Sequence, residues 1–92
     1  MNFIYRLHAV ERMFQRDISE AEVQSAVLNG EIIESYEDDK PYPSYLSLKK
    51  INSKAIHVVY AIDADKSYIV ITVYEPDATL WEKDFKTRRN TQ

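Results

Sequence analysis

The residues of this chain best suited to chemistry are two histidines and a short series of arginines. His8 and His57 are the only histidines, and an unperturbed imidazole titrates near pH ~6.5, where it can act as a general acid or base. Arg12 and Arg16 follow His8 at intervals of four residues. On a helix this spacing places the three side chains along one edge. Such an edge could hold a phosphate group, or its arginines could pair with Glu11 or Glu20 on the surface.

Further candidates lie in the second half of the chain. Tyr74 ends an apolar segment, where it could donate a proton to a leaving oxygen or stack on a base. Lys40 and Tyr42 lie in a proline-containing loop and could line a groove. Arg88 and Arg89 belong to a basic C-terminal stretch that could reach a phosphate backbone or an acidic partner protein. Each of these residues also has a plain structural explanation, such as a sheet-edge tyrosine or a solvated charge.

Composition excludes several kinds of site. The chain has no cysteine and one glycine, so it has no disulfide, no thiolate-bound zinc, no thiol nucleophile and no glycine-rich phosphate loop. The spacing between the two histidines matches no zinc motif. The consecutive carboxylates Glu37-Asp38-Asp39 are typical of solvated loop charge. We therefore expect no metal site and no cofactor.

Length and charge describe an ordinary small globular protein. The chain has 92 residues, 45% of them hydrophobic and 29% charged, which predicts one domain over residues 1–92. No apolar run reaches the ~18 residues of a membrane span, and the charged N-terminal stretch does not fit a signal peptide, so we expect a cytoplasmic protein. The net charge is −3, which argues against indiscriminate binding to nucleic acids while allowing local basic patches.

Two helices are predicted at the start of the chain. In residues 7–16 the apolar positions recur at helical spacing and share one face, which we expect to pack on the core. Ser19 and Glu22 form a capping box that begins the second helix. Asn29-Gly30 ends it, because glycine accepts a left-handed conformation at that position. The shared apolar positions of the first helix are Leu7, Val10, Met13 and Phe14.

Beyond Gly30 the hydrophobic period changes to that of strands. Strands are predicted over residues 31–36, 44–51, 55–62 and 67–75. The lysines of residues 44–51 indicate an edge strand, and the continuous apolar run of 67–75 a central one. Asp77 is expected to cap a short helix over residues 78–87 that packs through Leu80, Trp81 and Phe85, followed by a frayed tail.

This order of elements predicts an α+β fold. Two N-terminal helices pack on one face of a three- or four-stranded antiparallel sheet, and a short C-terminal helix follows. The other face of the sheet is left partly open, which is where a ligand groove could form.

Several segments, in order along nearly the whole chain, match a known pattern. They are His8-Ala9-x-x-Arg12-Met13-x-x-Arg16-x-Ile18-Ser19, Asn29-Gly30-Glu31-Ile32-Ile33-Glu34-x-Tyr36, Pro43-Ser44, His57-Val58-Val59, Thr72-Val73-Tyr74-x-Pro76, Trp81 and Arg88-Arg89. Together they resemble domain-of-unknown-function family 4258, a widespread family of short bacterial proteins. Its members look like toxins of type II toxin–antitoxin pairs, with a fold similar to that of the RelE and MqsR ribonuclease toxins.

The resemblance implies metal-independent cleavage of RNA. In that reaction the 2′-OH attacks the adjacent phosphate and leaves a 2′,3′-cyclic phosphate, which requires a base, an acid and cations near the phosphate. The implied partners are RNA, including ribosome-bound messenger RNA, and a cognate antitoxin such as an MqsA-like zinc-finger protein. We expect the catalytic residues to be drawn from His8, Arg12, His57 and Tyr74. We expect the RNA- or phosphate-binding residues to be drawn from Arg16, Lys40, Tyr42, Arg88 and Arg89.

Two other functions fit the same residues. The chain could be a non-catalytic protein-binding module whose basic helix edge contacts a partner and whose histidines are structural. It could also be a degenerate toxin that keeps its fold and its partner but has lost cleavage. Cleavage that leaves cyclic-phosphate ends separates the ribonuclease from both.

Overall fold

A computed structural model gives the structure of residues 2–90. The fold is α+β, with two helices and a five-stranded mixed sheet, so the predicted class and the two N-terminal helices are confirmed. No helix within residues 2–90 is long and apolar enough to cross a membrane. In chain order the elements are β1 (Phe3–Tyr5), α1 (Leu7–Arg16), α2 (Glu20–Asn29), β2 (Glu31–Tyr36), β3 (Ser44–Ile51), β4 (Lys54–Ile62) and β5 (Tyr68–Tyr74).

The strand order of the sheet is β1-β5-β4-β3-β2. Four strands are antiparallel neighbours, as predicted, whereas β1 pairs in parallel with β5. The prediction missed β1, because three residues are too few to establish an alternating pattern. The expectation that residues 44–51 form an edge is wrong, since β3 lies between β2 and β4. The prediction that β5 lies inside the sheet is confirmed.

The core lies between the two helices and one face of the sheet. Both helices pack on strands from the interior of the sheet, α1 on β5 and α2 on β3 and β4. Alternate residues of β4 point into this core, which leaves His57 on the opposite face. The buried residues shared by helices and sheet include Ala9, Met13, Val23, Ala26, Ile56, Val58, Val70 and Val73.

Helix α1 has the predicted length but not the predicted buried face. Ala9 and Met13 are buried, whereas Leu7 is 74% exposed and Phe14 is 86% exposed. The buried face is therefore rotated from the one that the periodicity indicates, with Ala9 and Met13 on the side of α1 that packs on β5. The larger side chains Leu7 and Phe14 remain on the surface.

Helix α2 begins as predicted and ends differently. The capping box is complete, with the Ser19 hydroxyl accepting from the Glu22 backbone N–H and the Glu22 carboxylate accepting from the Ser19 N–H. Gly30 follows the helix with φ −81° and ψ 177°, so the expected left-handed conformation is wrong. Glycine is needed there for space, because a Cβ atom would lie 2.5 Å from the Ser47 hydroxyl and 2.8 Å from the Leu48 carbonyl.

The predicted helix over residues 78–87 is not formed. Residues 77–89 instead fold back on themselves as a hairpin-like loop, which we call the C-terminal clasp. Backbone bonds join Glu82 to Thr87 and Arg89 to Leu80, and Trp81 forms an isolated bridge with Arg88. The side chains of Asp77 and Asp84 accept from nearby backbone N–H groups. Asp77 thus caps a single turn, as predicted, which ends at Trp81. The bonds to Asp84 form a second turn in place of a continued helix.

Candidate active site

The candidate site lies on the sheet face opposite the helices. In one row across this face, Leu48 of β3, His57 of β4 and Tyr74 of β5 are directly paired. Two residues farther along, Glu34 of β2 pairs with Leu46 of β3. Because side chains alternate along a strand, all of these residues point to the same side of the sheet. The expected open face is thus partly covered here, since the C-terminal clasp lies on this row.

His57 is the centre of the site. Its side chain is fully buried, with 0% exposure. The Nε2 atom lies 2.7 Å from the backbone carbonyl of Phe85, and the Nδ1 atom lies 3.2 Å from the hydroxyl of Tyr74. The Trp81 ring packs edge-on against the imidazole, with ring centroids 4.6 Å apart. The clasp therefore holds His57 through Phe85 and Trp81.

These contacts determine the tautomer of His57. A carbonyl oxygen can only accept, so Nε2 carries the proton and donates it to Phe85. Burial is the main cause that lowers the pKa of His57, with the Phe85 bond opposing it, so the ring is neutral at neutral pH. Its Nδ1 atom then accepts a hydrogen bond from the Tyr74 hydroxyl. The result is a relay in which a backbone carbonyl fixes a histidine and the histidine orients a tyrosine.

Tyr74 brings this relay toward the surface. It is half-buried, whereas the imidazole behind it is inaccessible. Burial raises the pKa of Tyr74, the positive charge of Arg88 lowers it, and the negative charge of Glu34 raises it. The phenol is therefore protonated at neutral pH. Its oxygen keeps a lone pair that can accept a proton from a bound hydroxyl.

A charged pair lies beside the relay. Arg88 of the clasp donates two hydrogen bonds to Glu34, at 3.0 and 3.1 Å, and the bond to Arg88 is the main cause that lowers the pKa of Glu34. The Tyr36 hydroxyl also donates to Glu34, and burial raises the pKa of Tyr36 to about 12. The guanidinium carbon of Arg88 lies 4.6 Å from the centre of the Trp81 ring. Arg88 thus joins the clasp to the sheet while staying largely exposed.

The residues predicted on α1 do not take part in this site. His8 and Arg16 are exposed and Arg12 is half-buried, on a helix that packs on the other face of the sheet. The structure therefore separates His8 and Arg12 from His57 and Tyr74, with which they were grouped. Arg12 lies near Gln15, at 3.4 Å, and neither arginine forms an ion pair within residues 2–90.

The remaining predicted residues lie at the margins of the site. Arg89 stabilises the clasp by donating a hydrogen bond to the Ala78 carbonyl, at 2.8 Å. Lys40 is exposed and Tyr42 half-buried in loop 37–43. That loop ends at Ser44, which pairs with Ala61, four residues along β4 from His57. Lys40 and Tyr42 therefore lie beyond the end of β3 at which Ser44 pairs with Ala61.

Sequence reasoning missed Glu34, Tyr36 and Trp81 as members of this site. Glu34 and Tyr36 are two residues apart on a predicted strand, which is the spacing of a shared face and could have identified them. Trp81 was expected on a helix, so its contact with His57 had no signal. In residues 2–90 no group of three or more histidine and acidic side chains could hold a metal ion.

The structure thus defines a small α+β protein with a buried histidine–tyrosine relay beneath a C-terminal clasp. Residues 5–75 match the domain of unknown function DUF4258, so the chain belongs to that family. No curated protein and no solved structure matches the chain.

Proposed function

We propose that this protein is a metal-independent endoribonuclease that cleaves RNA by attack of the 2′-OH. The observation that carries the proposal is the hydrogen bond between Tyr74 and the Nδ1 atom of His57, at 3.2 Å. It offers a proton acceptor that is fixed in one tautomer and reaches the surface through a phenol. General-base catalysis of this type needs no metal.

In the proposed reaction the 2′-OH gives its proton to the Tyr74 oxygen while the Tyr74 proton passes to His57. The 2′ oxygen attacks the adjacent phosphorus, the bond from phosphorus to the 5′ oxygen breaks, and the 5′ oxygen takes a proton from water. The hydroxide that remains then takes the proton from His57 through Tyr74, which restores the neutral imidazole. The products are a 2′,3′-cyclic phosphate and a free 5′-OH. The imidazolium formed at His57 is stabilised by the Phe85 carbonyl and by the negative charge of Glu34. Arg88 remains cationic and offsets charge on the phosphorane.

We further propose that the protein acts as the toxin of a type II toxin–antitoxin pair. The support is the resemblance of its ordered motifs to a family of toxin-like proteins, and the α+β architecture fits that resemblance. The substrate would be messenger RNA in the cytoplasm, free or on the ribosome, and an antitoxin, of which an MqsA-like zinc-finger protein is one kind, would be the partner. The acidic net charge of −3 favours action on ribosome-bound RNA over strong binding by the isolated chain.

The test is RNA cleavage in EDTA by the wild type and by Tyr74→Phe, with the product ends mapped. We expect cyclic-phosphate ends from the wild type and a rate at least ~100-fold lower in Tyr74→Phe, because general-base catalysis contributes about 10²–10⁴-fold. Tyr45→Phe is the matched control, since Tyr45 lies on the helix side of the sheet. Equal rates for both variants would remove Tyr74 from the mechanism. No cleavage with or without ribosomes would reject the ribonuclease.

A non-catalytic binding module is the second candidate, and a specific observation favours it. Both nitrogens of His57 are occupied by partners within the chain and the ring has 0% exposure, which is also the arrangement of a purely structural histidine. Exposed Leu7 and Phe14 on α1 add an apolar surface typical of protein contacts. This candidate, like a degenerate toxin, predicts partner binding without cleavage.

A further inference from the structure

A basic cavity lies next to the candidate site. It has a volume of about 370 Å³ and is formed where the end of α2 meets β3 and the clasp. Its lining includes Asn29 and Gly30 at the end of α2, Lys49 and Lys50 of β3, and Lys86 of the clasp. Residues from three separate parts of the chain thus converge on one space of the size of a small ligand.

The charge of this cavity is opposite to that of the whole protein. Three lysines line it and Glu31 is the one carboxylate among the lining residues, whereas the chain has a net charge of −3. Glu31 is occupied by Lys86, at 2.9 Å. Neither Lys49 nor Lys50 forms an ion pair within the part of the chain that the structure describes. Lys49 and Lys50 leave β3 on opposite faces of the sheet, but the pairing with β2 ends at Leu48, so both flexible side chains can reach the cavity around this unpaired edge. Their two ammonium groups are available to an anion, and they outweigh the partial negative charge at the C-terminal end of α2.

The cavity is close to the histidine–tyrosine relay. Leu48, which lines it, is the direct β3 partner of His57. Lys86 directly follows Phe85, whose carbonyl binds His57. An anion in the cavity would thus lie one strand away from His57. Tyr74 lies one strand farther, on β5, so a single strand of RNA bound at Tyr74 could place another of its phosphates in the cavity.

We propose that the cavity formed by Lys49, Lys50 and Lys86 is a phosphate subsite for the backbone of single-stranded RNA. The subsite rests on the proposed ribonuclease function and specifies how its substrate is held. The phosphate competes with Glu31 for Lys86 and is bound by Lys49 and Lys50 in addition. This anchor is independent of base identity, because it contacts only the backbone.

The single glycine of the chain provides a direct test. Protein labelled with ¹⁵N-glycine gives one backbone amide resonance, that of Gly30, which lines the cavity. Titration with a fully 2′-O-methylated RNA oligonucleotide, which cannot be cleaved, is expected to shift this resonance in a saturable manner. Inorganic phosphate is expected to produce the same direction of shift with weaker affinity. An unmoved Gly30 resonance in the presence of saturating oligonucleotide would overturn the subsite.

Lysine variants test whether the positive charge of the cavity binds the RNA backbone. Lys49→Gln/Lys50→Gln is expected to weaken oligonucleotide binding by roughly tenfold and to reduce the salt slope by about 1.4, since each cation on a single strand contributes ~0.7. The matched control is Arg6→Gln/Lys66→Gln, which removes the same charge next to β1 and β5, at the edge of the sheet opposite to β2, and is expected to bind like the wild type. Equal affinities and slopes for the two double variants would contradict the proposal.

Failure of the subsite and failure of the ribonuclease give different results. Binding is measured with the uncleavable oligonucleotide, whereas cleavage is measured with a dinucleotide too short to reach from Tyr74 into the cavity. Cleavage of the dinucleotide with unchanged binding by Lys49→Gln/Lys50→Gln rejects the subsite alone. Lysine-dependent binding without any cleavage rejects the ribonuclease and leaves the phosphate site intact.

Discussion

The imidazole of His57 donates its Nε2 proton to the backbone carbonyl of Phe85, at 2.7 Å, across 28 positions of sequence. This bond joins the interior of the sheet to the C-terminal clasp. A side chain, rather than a β-ladder, therefore fixes the clasp at its centre. Its removal should affect both the stability of the fold and the position of residues 77–89.

We expect His57→Ala to lower the free energy of unfolding by about 3 kcal/mol, because it leaves a cavity beneath Trp81 and removes the partner of the Phe85 carbonyl. Urea denaturation followed by circular dichroism measures this change. His8→Ala is the control and should change stability by less than ~0.5 kcal/mol, since His8 is exposed. Equal stability of the two variants would show that His57 does not hold the clasp.

Stability should fall as the pH drops below about 6.5. Burial lowers the pKa of folded His57, so the unfolded chain, whose imidazole titrates near ~6.5, binds a proton that the folded protein does not. This contribution is fully present above pH ~6.5 and is lost as the pH falls toward the pKa of the folded state. Its slope approaches about 1.4 kcal/mol per pH unit.

The matching measurement is the difference in unfolding free energy between the wild type and His57→Gln from pH 8 to pH 5. Contributions from the carboxylates cancel in this difference. The difference should shrink on acidification below pH ~6.5, because the variant has no imidazole to protonate. A difference independent of pH would mean that His57 has an ordinary pKa in the folded protein.

Arg88→Ala should loosen the clasp. It removes both hydrogen bonds to Glu34 and uncovers one face of Trp81. Trp81 is the single tryptophan, so its emission is expected to shift to longer wavelength and its quenching by acrylamide to increase. Arg16→Ala, on the opposite face of the molecule, should leave both signals unchanged. Identical spectra for the two variants would exclude a role for Arg88 in holding the clasp.

Gly30→Ala should destabilise the protein by about 3 kcal/mol, because the new methyl group would overlap the Ser47 hydroxyl and backbone carbonyls. The cause is steric, since φ at this position is an ordinary −81°. Thermal unfolding provides the measurement, and Asn29→Ala, on an exposed neighbour, is the control. A Gly30→Ala protein as stable as the control would show that α2 can move away from β3.

Elements governed by local chemistry were predicted well. The capping box of Ser19 and Glu22 fixed the start of α2, and the period-2 pattern located four of the five strands. The sequence did not predict the elements whose structure depends on residues far away in the chain. The strand Phe3–Tyr5 exists because β5 offers it an edge, and residues 77–89 form no helix because Leu80 and Trp81 pair with Arg89 and Arg88 instead.

The residues of the candidate site also differ in how far the local sequence could identify them. His57 and Tyr74 were identified by residue type, and their direct pairing in the sheet is a matter of register. The structure places His8 on the other side of the sheet from them, because helical periodicity indicates which residues share a helix edge and not which sheet face that helix covers. Trp81 reaches the site through the clasp, and Glu34 reaches it because side chains alternate along β2. The clasp and β2 come together only in the assembled sheet.

The parallel pairing of β1 with β5 has a consequence for synthesis of the protein. Tyr5 cannot pair with Val70 until the ribosome has synthesised the chain between them. At about 5–20 residues per second this takes roughly 3–13 s. During that interval α1 has no β5 on which to pack, and its apolar side chains are accessible to chaperones. The nascent chain therefore has no complete core until Tyr74 has emerged, and no covered His57 until Phe85 has emerged.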